Sequence, residues 1–567
     1  MKNIRKAICV FMALILTTGC FGIISFADGQ DDEIRFAVCT DIHALEKGAV
    51  PAVNYPENEL YFHARNSGNL YTEAIGIFVT FLTKMKEEKP DFIILPGDLA
   101  NDGNQEEHEY FASILNLFEE ESGIPVYVAP GNHDYYRSTR EEFKSYYHNF
   151  GYDEAVNVDT QTASYCVDLP GNFRLIAIDS CLEGKDGDGF DDRLFGWIEA
   201  RANEAKESGR TVISFMHHPL LDPIPYAELL MKDFIVRDSK KVAEKFTQYG
   251  IQYVFTGHEH GNNISAYTGK NGRTVYDILT TALSSYPLEY RMVNLSKDAM
   301  DIKNETILEC NFDYITEGFT PKQLELMRTD YTEYSKGYFK YSIERKIAKY
   351  LTPEFIAGAL NQKSGPLYDT IQTVMTLVGE AVEMPLYNKD YDGTTVESIA
   401  AKSGVKLPES DYYNLMDLIS SGVASIYYGN ENMGIETSPE GKLLITALNT
   451  QLKYVLAEAG NRQTTQVINS VISAFGLEEI DELNVSLLNR LPLPGADNFY
   501  EIAYTIFEPL INKFLVDDDI SDRDAVLPGP GETVDPPKKI NTFFDKVLSF
   551  IKYVFKVAFT SLTVWFR

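Results

Sequence analysis

Basic residues are scarce in this sequence. Its 567 residues include 51 Lys and Arg against 83 Asp and Glu, which gives a formal net charge of −32 at pH 7. Nucleic-acid binding needs basic patches that neutralise phosphates, so nucleic acid is excluded as the main partner. The composition, 44% hydrophobic, is that of a globular protein, and the length calls for two or more domains.

Cysteine is also rare, with six in the whole chain. Two of them fall in an apolar stretch at the N-terminus. The other four are far apart and lie mostly in apolar, strand-like runs: Cys39, Cys166, Cys181 and Cys310. No disulfide framework can be read from this spacing. We therefore expect buried free thiols.

The N-terminus has the pattern of a secretory signal peptide. Three basic residues precede the apolar run Ala7–Phe26, and a small-x-small cleavage site ends at Ala27. Residues 1–27 are therefore interpreted as a signal peptide, with the mature chain starting near Asp28. This predicts a secreted or cell-surface protein.

Two alternatives for the N-terminus stay open. The run Leu-Thr-Thr-Gly-Cys ending at Cys20 allows lipoprotein processing, although Thr17 stands where such signals usually carry an aliphatic residue. An uncleaved anchor is the other alternative.

Residues 28–312 show the alternation of an α/β layered domain. Short β-rich runs are separated by polar stretches of helical spacing. The runs around the Leu-Pro-Gly at 169–171 predict a hairpin. The predicted strands are Ile34–Cys39, Phe92–Leu95, Val126–Ala129, Leu175–Ile178, Val212–Phe215 and Tyr253–Phe255, and the predicted helices are Glu73–Glu88, Glu106–Glu119 and Arg193–Ser208.

The second half of the chain has a different character. Residues 313–516 carry helical spacing throughout and predict a mostly helical C-terminal domain, with Pro321–Met327 as its first helix and Thr465–Phe475 as its last. The acidic, Pro/Gly-rich residues 517–542 predict a linker. Residues 543–567 predict an amphipathic C-terminal helix with a polar stripe that includes Lys552 and Lys556. Such a helix favours peripheral membrane contact, and docking on the helical domain is the alternative.

Histidine is scarce in this chain and is concentrated at a few points. Of nine histidines, six fall in stretches that directly follow apolar runs. Parallel strands present functional groups at their carboxyl ends, so these stretches are expected to converge on one rim. They are Asp41-Ile-His43, Gly97-Asp98, Gly131-Asn132-His133-Asp134, His217-His218-Pro219 and Gly257-His258-Glu259-His260.

This combination of residues suits metal ions. Imidazoles and carboxylates are ligands of zinc, iron and manganese, and a pair of metals needs a shared anionic ligand. Asp98 is the natural bridge because its carboxylate has two oxygens. The single residue between Asp41 and His43 predicts an extended backbone that keeps both side chains on one face, and the same holds for His258 and His260.

The ordered series Asp-x-His, Gly-Asp, Gly-Asn-His-Asp, His, Gly-His-x-His resembles that of the calcineurin-like metallophosphoesterases. The resemblance covers roughly residues 34–270 and implies a β-sandwich flanked by helices, with two divalent ions (Mn, Fe or Zn). It implies one metal held by Asp41, His43, Asp98 and His260, and a second held by Asp98, Asn132, His217 and His258. It also implies catalytic roles for His133 and for Asp134, which would steer the His133 ring.

The resemblance implies a binuclear phosphoesterase that hydrolyses phosphodiester or phosphomonoester bonds of a small substrate by attack of a metal-bridging hydroxide. Purple acid phosphatases carry Tyr where this chain has Asn101, and they lack the histidine that stands here at 43. The sequence is therefore similar to the phosphodiesterase-type branch. The alternative function is a surface interaction protein with a vestigial metal site.

Residues next to these motifs allow more than one interpretation. His218 is either a hydrogen-bonded neighbour of the metal ligands or a substrate contact. His108 is predicted to be a solvated helix residue, and Glu259 to be a solvated or supporting group. Three tyrosines could wall a substrate pocket: Tyr135, Tyr136 and Tyr286.

Overall fold

The structure is a computed structural model. It describes residues 33–45, 68–181, 190–222, 235–315, 319–354, 364–429, 433–435, 437–458 and 521–532. The predicted signal peptide, the predicted helix at 465–475 and the predicted helix at 543–567 lie outside the described residues. None of the described helices combines the length and the apolar character needed to cross a membrane.

Two mixed sheets are built from the first half of the chain and from one strand near its C-terminus. The first sheet has six strands in the order β13-β12-β11-β1-β2-β3, and the second has seven in the order β4-β5-β6-β7-β8-β10-β9. The strands are β1 Ile34–Val38, β2 Phe92–Leu95, β3 Val126–Val128, β4 Asn157–Val158, β5 Tyr165–Leu169, β6 Phe173–Ile178, β7 Thr211–Met216, β8 Tyr253–Thr256, β9 Asn263–Thr268, β10 Thr274–Leu279, β11 Glu289–Leu295, β12 Ala299–Thr306 and β13 Ala525–Pro528.

The parallel strands are the ones that carry the motifs. β1 pairs with β2 and β2 with β3 in parallel, and so do β6 with β7, β7 with β8, and β8 with β10. β2 reads Phe-Ile-Ile-Leu and is buried throughout, as expected for a parallel strand covered on both faces. The predicted hairpin is confirmed, since β5 and β6 pair antiparallel with Leu169 opposite Phe173.

The two sheets pack face to face, which confirms the expected layered sandwich. The ring of Phe36 on β1 lies edge-on to Phe255 on β8, with 5.4 Å between ring centroids. Helices α1 Ala74–Glu88 and α2 Gln105–Ser122 cover the outer face of the first sheet, and α4 Asp192–Glu207 and α5 Ser239–Tyr249 cover that of the second. A short helix, α3 Arg140–Tyr146, follows β3.

Local signals fix where these helices start and stop. Asn104 caps α2 by accepting a hydrogen bond from the Glu107 backbone N–H at 2.9 Å. The same helix ends at Gly123, whose φ of +70° is the left-handed conformation that glycine adopts most easily. The predicted boundaries of the three long helices are therefore correct to within a few residues.

The described parts between residues 319 and 458 are mostly helical, as predicted. The helices are α6 Pro321–Thr329, α7 Tyr331–Tyr350, α8 Pro366–Glu383, α9 Val396–Lys402, α10 Leu415–Tyr428 and α11 Pro439–Glu458. Their core gathers residues from several helices and from the loop after α8, among them Leu386, Leu415 and Leu444. This region contacts the sandwich: the Tyr334 hydroxyl on α7 donates to Glu73 Oε1 at 2.5 Å.

The predicted linker at 517–542 is wrong where the structure describes it. Residues 525–528 form β13, which pairs antiparallel with β12 at the edge of the first sheet. Ala525 and Leu527 are buried, whereas Val526 points outward. Pro528 is accommodated because a proline, which lacks an N–H donor, is tolerated on an edge strand. The Pro/Gly-rich composition is typical of a linker, so the short strand with alternating burial was not predicted.

Candidate metal centre

The five predicted stretches meet at the carboxyl ends of five parallel strands, β1, β2, β3, β7 and β8. Backbone hydrogen bonds tie the loops to one another. Asp41 N donates to Gly97 O at 3.1 Å, and His43 N donates to Asp98 O at 3.0 Å. On the second sheet, Gly257 N donates to His217 O at 2.9 Å. The predicted convergence on one rim is confirmed by this geometry.

The backbone at the ligands is not extended, so the prediction of extended Asp-x-His and His-x-His segments is wrong. Five predicted ligands have left-handed φ angles between 49° and 77°. Such angles are uncommon for residues other than glycine and cost about 1–3 kcal/mol each, a cost usually found at functional sites. The residues are Asp41, His43, Asp98, His258 and His260.

Close backbone approach requires two glycines. A Cβ added at Gly131 would lie 2.1 Å from Asp98 Oδ1, and one added at Gly257 would lie 2.4 Å from Asp41 Oδ2. Because these glycines lack a Cβ, backbone N–H groups can reach the two ligand carboxylates and donate hydrogen bonds to them. His133 N donates to Asp98 Oδ1 at 2.9 Å, and His258 N donates to Asp41 Oδ2 at 3.0 Å.

The first group of ligand atoms surrounds His43. Its Nε2 lies 3.3 Å from His260 Nε2 and 3.7 Å from Asp98 Oδ2. His260 Nε2 in turn lies 3.3 Å from Asp41 Oδ1. All four residues implied for the first metal are thus adjacent, and Asp41, His43 and His260 have ligand atoms within 4.8 Å of one another.

The second group surrounds His217. Its Nε2 lies 3.0 Å from His258 Nδ1, 3.1 Å from Asn132 Oδ1 and 3.3 Å from Asp98 Oδ2. Oδ2 of Asp98 therefore faces both His43 and His217. This is the position that a bridging ligand occupies.

The donor atoms fit divalent cations. Imidazole nitrogens and carboxylate oxygens face one another at distances that a shared cation would explain, and metals of the zinc, iron and manganese class take such ligands. The buried Nδ1 of His43 has no hydrogen-bond partner among the described residues. A proton on Nδ1 would leave the lone pair of Nε2 directed toward the ligand atoms of Asp98 and His260.

The pKa shifts favour a cation at this position. Burial acts to raise the pKa of Asp41, but His260 and His217 outweigh it and lower that pKa to about 2. Burial and the neighbouring His133 lower the pKa of His43 to about 3, which keeps it a neutral ligand. Burial acts to lower the pKa of His217, but Asp98 outweighs it and raises that pKa to about 9. The carboxylates thus draw positive charge into the site.

His133 lies beside the first group, with its ring centroid 4.6 Å from that of His43. His133 Nδ1 donates to the Asn101 carbonyl oxygen at 2.6 Å. This bond fixes the ring and leaves Nε2 for proton exchange. His133, His43 and Asp98 also have ligand atoms within 4.8 Å of one another, so His133 is close enough to act on the same reacting group.

Asp134 does not steer the His133 ring, and that prediction is wrong. Its buried carboxylate accepts backbone hydrogen bonds from Ala100 N at 2.9 Å, Gly131 N at 2.8 Å and Leu99 N at 3.1 Å. It therefore joins the turn after β2 to the turn after β3. Asp134 positions Asp98 and the ligands of the neighbouring turn, while a backbone carbonyl positions His133.

His108 was expected to be solvated and is instead fully buried below this turn. Its Nε2 donates to the Asp134 carbonyl oxygen at 3.1 Å, and its Nδ1 accepts from the Tyr147 hydroxyl at 3.0 Å. Burial lowers its pKa to about 4. The helical period of the sequence could have predicted this burial, because His108 shares a face of α2 with Phe111 and Leu115, which are also buried.

The other neighbours take supporting positions. His218 Nδ1 lies 3.0 Å from the Ser180 hydroxyl, and the His218 ring packs against His258 at 4.6 Å, so the structure favours the hydrogen-bonded neighbour. Burial and Asp41 raise the pKa of Glu259 to about 8. Among the three tyrosines considered, Tyr136 packs against His133 at 4.5 Å, whereas Tyr135 and Tyr286 are buried.

Comparisons with known proteins agree with this geometry. Residues 34–262 match the family model of the calcineurin-like phosphoesterases. A probable glycerophosphodiester phosphodiesterase of Arcobacter nitrofigilis is 30% identical over 163 residues, which is 28% of this chain and 54% of that protein. A probable cyclic nucleotide phosphodiesterase of Fibrobacter succinogenes is 24% identical over 40% of this chain and 85% of its own length.

The chain spans little more than half the length of the first curated relatives that it matches. A dimetal phosphatase of Danio rerio aligns with 50% of this chain and 98% of its own, at 14% identity and a TM-score of 0.35, which adds nothing to the fold described above. With the ligand geometry and the family match together, residues 34–262 are a calcineurin-like phosphoesterase domain.

Proposed function

We propose that this chain is a metal-dependent phosphoesterase that hydrolyses phosphodiesters. The observation that carries the proposal is the pair of ligand groups on either side of Asp98, whose Oδ2 lies 3.7 Å from His43 Nε2 and 3.3 Å from His217 Nε2. When bound there, two divalent ions would neutralise charge on the phosphate oxygens and lower the pKa of a bound water.

The chain's own residues would then hold the ligand oxygens in place and donate a proton to the leaving group. Asp41 and Asp98 are held by backbone N–H groups, so their oxygens keep fixed positions during turnover. His133 is anchored through Nδ1, and its Nε2 would donate a proton to the leaving oxygen of the substrate. Such acid catalysis contributes about 10²–10⁴-fold to rate.

The names of the relatives support a proposal for the substrate class. The proteins matched here are named as glycerophosphodiester and cyclic nucleotide phosphodiesterases. We propose a small phosphodiester of one of these two kinds.

Hydrolysis assays test the proposed activity. The purified chain with added Mn²⁺ is expected to cleave bis(p-nitrophenyl) phosphate faster than p-nitrophenyl phosphate, and to lose this activity after chelation. Asp98→Asn is the matched control, because it keeps the shape of the side chain and removes the bridging charge. Absence of hydrolysis with two metals bound would favour the interaction protein with a vestigial site.

The proposed location is secretion, or attachment at the cell surface. It depends on residues 1–27, which lie outside the described part of the chain. N-terminal sequencing of protein recovered from the culture medium is expected to start near Asp28. A mature N-terminus at Cys20 would show lipoprotein processing instead.

The proposed membrane contact depends on residues 543–567, which also lie outside the described part. A chain ending at Asp535 keeps β13 and is expected to lose co-sedimentation with anionic liposomes while its activity on soluble esters is unchanged. Equal liposome binding with and without the tail would refute the contact.

A further inference from the structure

The C-terminal segment 521–528 reaches back to the phosphoesterase domain and inserts an arginine into it. Arg523 forms an ion pair with Glu289 on β11, at 2.6 Å from Oε1, and also donates to Oε2 at 2.7 Å. Glu289 is fully buried. Burying a carboxylate is costly unless it is paired or well hydrogen-bonded, and removing the cation of a buried pair is destabilising.

Glu289 connects Arg523 to the loop of the last two metal ligands. Its Oε2 accepts from Asn262 Nδ2 at 2.7 Å, two residues after His260. Asn262 Oδ1 accepts from Thr281 N at 3.2 Å, and the Thr281 hydroxyl donates to the His260 carbonyl oxygen at 2.5 Å. A continuous chain of hydrogen bonds thus runs from Arg523 to the backbone of His260.

The end of α10 is held in the same network. Asn262 N donates to the Tyr427 carbonyl oxygen at 3.1 Å. Arg523 donates to the Tyr428 carbonyl oxygen at 3.3 Å, and its guanidinium lies 3.7 Å from the centre of the Tyr428 ring. The metal-ligand loop is therefore clamped between the helical region and the C-terminal segment.

The backbone of the segment is fixed independently by a second arginine. Buried Arg291 donates to the carbonyl oxygens of Asp522 at 2.7 Å and Arg523 at 3.0 Å. The Asp522 carboxylate accepts from Ile264 N at 2.8 Å. The Arg523 side chain can consequently be altered while the segment stays in place.

We propose that Arg523 is a positioning residue of the metal centre, acting through Glu289, Asn262 and Thr281 on His260. It lies outside the matched residues 34–262, in a segment whose composition resembles a linker. The inference rests on the proposed metal site. It implies that affinity for the ion held by Asp41, His43 and His260 depends on a residue 263 positions further along the chain.

The physical reason is geometric. Without Arg523, the buried Glu289 carboxylate keeps only neutral donors, and no ion-pair partner among the described residues balances its charge. These donors are Asn262, Asn304 and Thr306. We expect the carboxylate to shift toward water or another cation. Asn262 would follow it, and the His260 backbone would lose the position set by Thr281. Metal ligation tolerates displacements of only about 0.2 Å, and loss of a group that orients a ligand typically lowers metal affinity 10–100-fold.

Calorimetric titration of the chelator-stripped full chain with Mn²⁺ tests this proposal, with thermal unfolding measured in parallel. Arg523→Ala and Arg523→Lys are expected to weaken one of the two Mn²⁺ sites by about 10–100-fold. The lysine variant keeps a cation but not the planar guanidinium that packs on the Tyr428 ring while its Nη1 contacts Glu289, so it decides the question if the alanine variant does not fold. Val526→Ala is the control, since that side chain is 71% exposed on the same segment.

A second variant probes the other end of the chain of hydrogen bonds. Thr281→Val removes the hydroxyl bound to His260 with little change in shape. Combined with Arg523→Lys, it is expected to weaken binding by less than the product of the two single effects, because both act on one path. Unchanged Mn²⁺ affinity at both sites in the Arg523 variants, or strictly multiplicative effects in the double variant, would overturn the proposal. Wild-type protein that binds fewer than two ions would instead refute the metal centre itself.

Discussion

Gly257→Ala is expected to damage the first metal group without unfolding the protein. The added Cβ would lie 2.3 Å from Thr40 Oγ1 and 2.4 Å from Asp41 Oδ2, about 1 Å short of ordinary van der Waals contact. Asp41 Oδ2 already accepts hydrogen bonds from the Thr40 hydroxyl at 2.8 Å and from His258 N at 3.0 Å. The carboxylate can therefore move away only by breaking these bonds.

The size of the effect follows from that displacement. A shift of about 1 Å is several times the roughly 0.2 Å that metal ligation tolerates. We expect Mn²⁺ affinity to fall by at least 10–100-fold, the usual cost of losing a group that orients a ligand. Overpacking of this kind lowers the free energy of unfolding by about 1–3 kcal/mol, so the variant should remain folded at 25 °C.

Titration calorimetry with Mn²⁺ and thermal unfolding measure the two effects separately. Gly196→Ala on α4 is the control, because nothing lies within 4 Å of its added Cβ. It is expected to keep full Mn²⁺ affinity and to gain about 0.5–1 kcal/mol of stability from the better helix former. If Gly257→Ala bound two ions as tightly as wild type, the close packing of this loop against Asp41 would not matter for the site, and the reasoning would be refuted.

Three further outcomes are expected. Asp98→Ala should remove both metals, which elemental analysis of the purified variant checks; retention of two ions per chain would contradict the shared ligand. His133→Ala should retain both metals and lower kcat by about 10²–10⁴-fold, whereas loss of metal with unchanged turnover per bound ion would make His133 a ligand. Because Asp98 raises the pKa of His217 to about 9, a proton must leave as metal binds, so Mn²⁺ affinity should rise with pH, by about tenfold per unit between pH 6 and pH 8. If the Mn²⁺ affinity did not change over this range, metal binding would not release a proton from His217.

The sequence was informative where the structure is local. β2 was predicted with its observed bounds because four apolar residues in a row, preceded by Asp91 and followed by Pro96, have few alternatives. The candidate metal ligands could be predicted because each follows a buried strand, and the carboxyl ends of parallel strands meet at one edge. Of the thirteen strands in the described part, seven were predicted, counting both strands of the hairpin. The strands β4 and β9 to β13 were missed because their pairing partners are set by sheet topology.

The errors have a common physical cause. The role of Asp134 depends on backbone N–H groups of Leu99 and Ala100, which a sequence pattern cannot place beside it. The left-handed angles at Asp41 and His43 are imposed by hydrogen bonds to the next loop rather than by the residues themselves. The strand β13 was read as linker because its pairing partner lies more than 200 residues away. Each of these features is created by contacts between distant segments.

The pair of metals bridged by Asp98 is the central claim, and anomalous diffraction from crystals grown with Mn²⁺ tests it most directly. We expect two peaks about 3.5–4 Å apart, each within bonding distance of the Asp98 carboxylate. One peak should be bound by Asp41, His43 and His260, and the other by Asn132, His217 and His258. A single peak, or two peaks of which one has no contact with Asp98, would contradict the account.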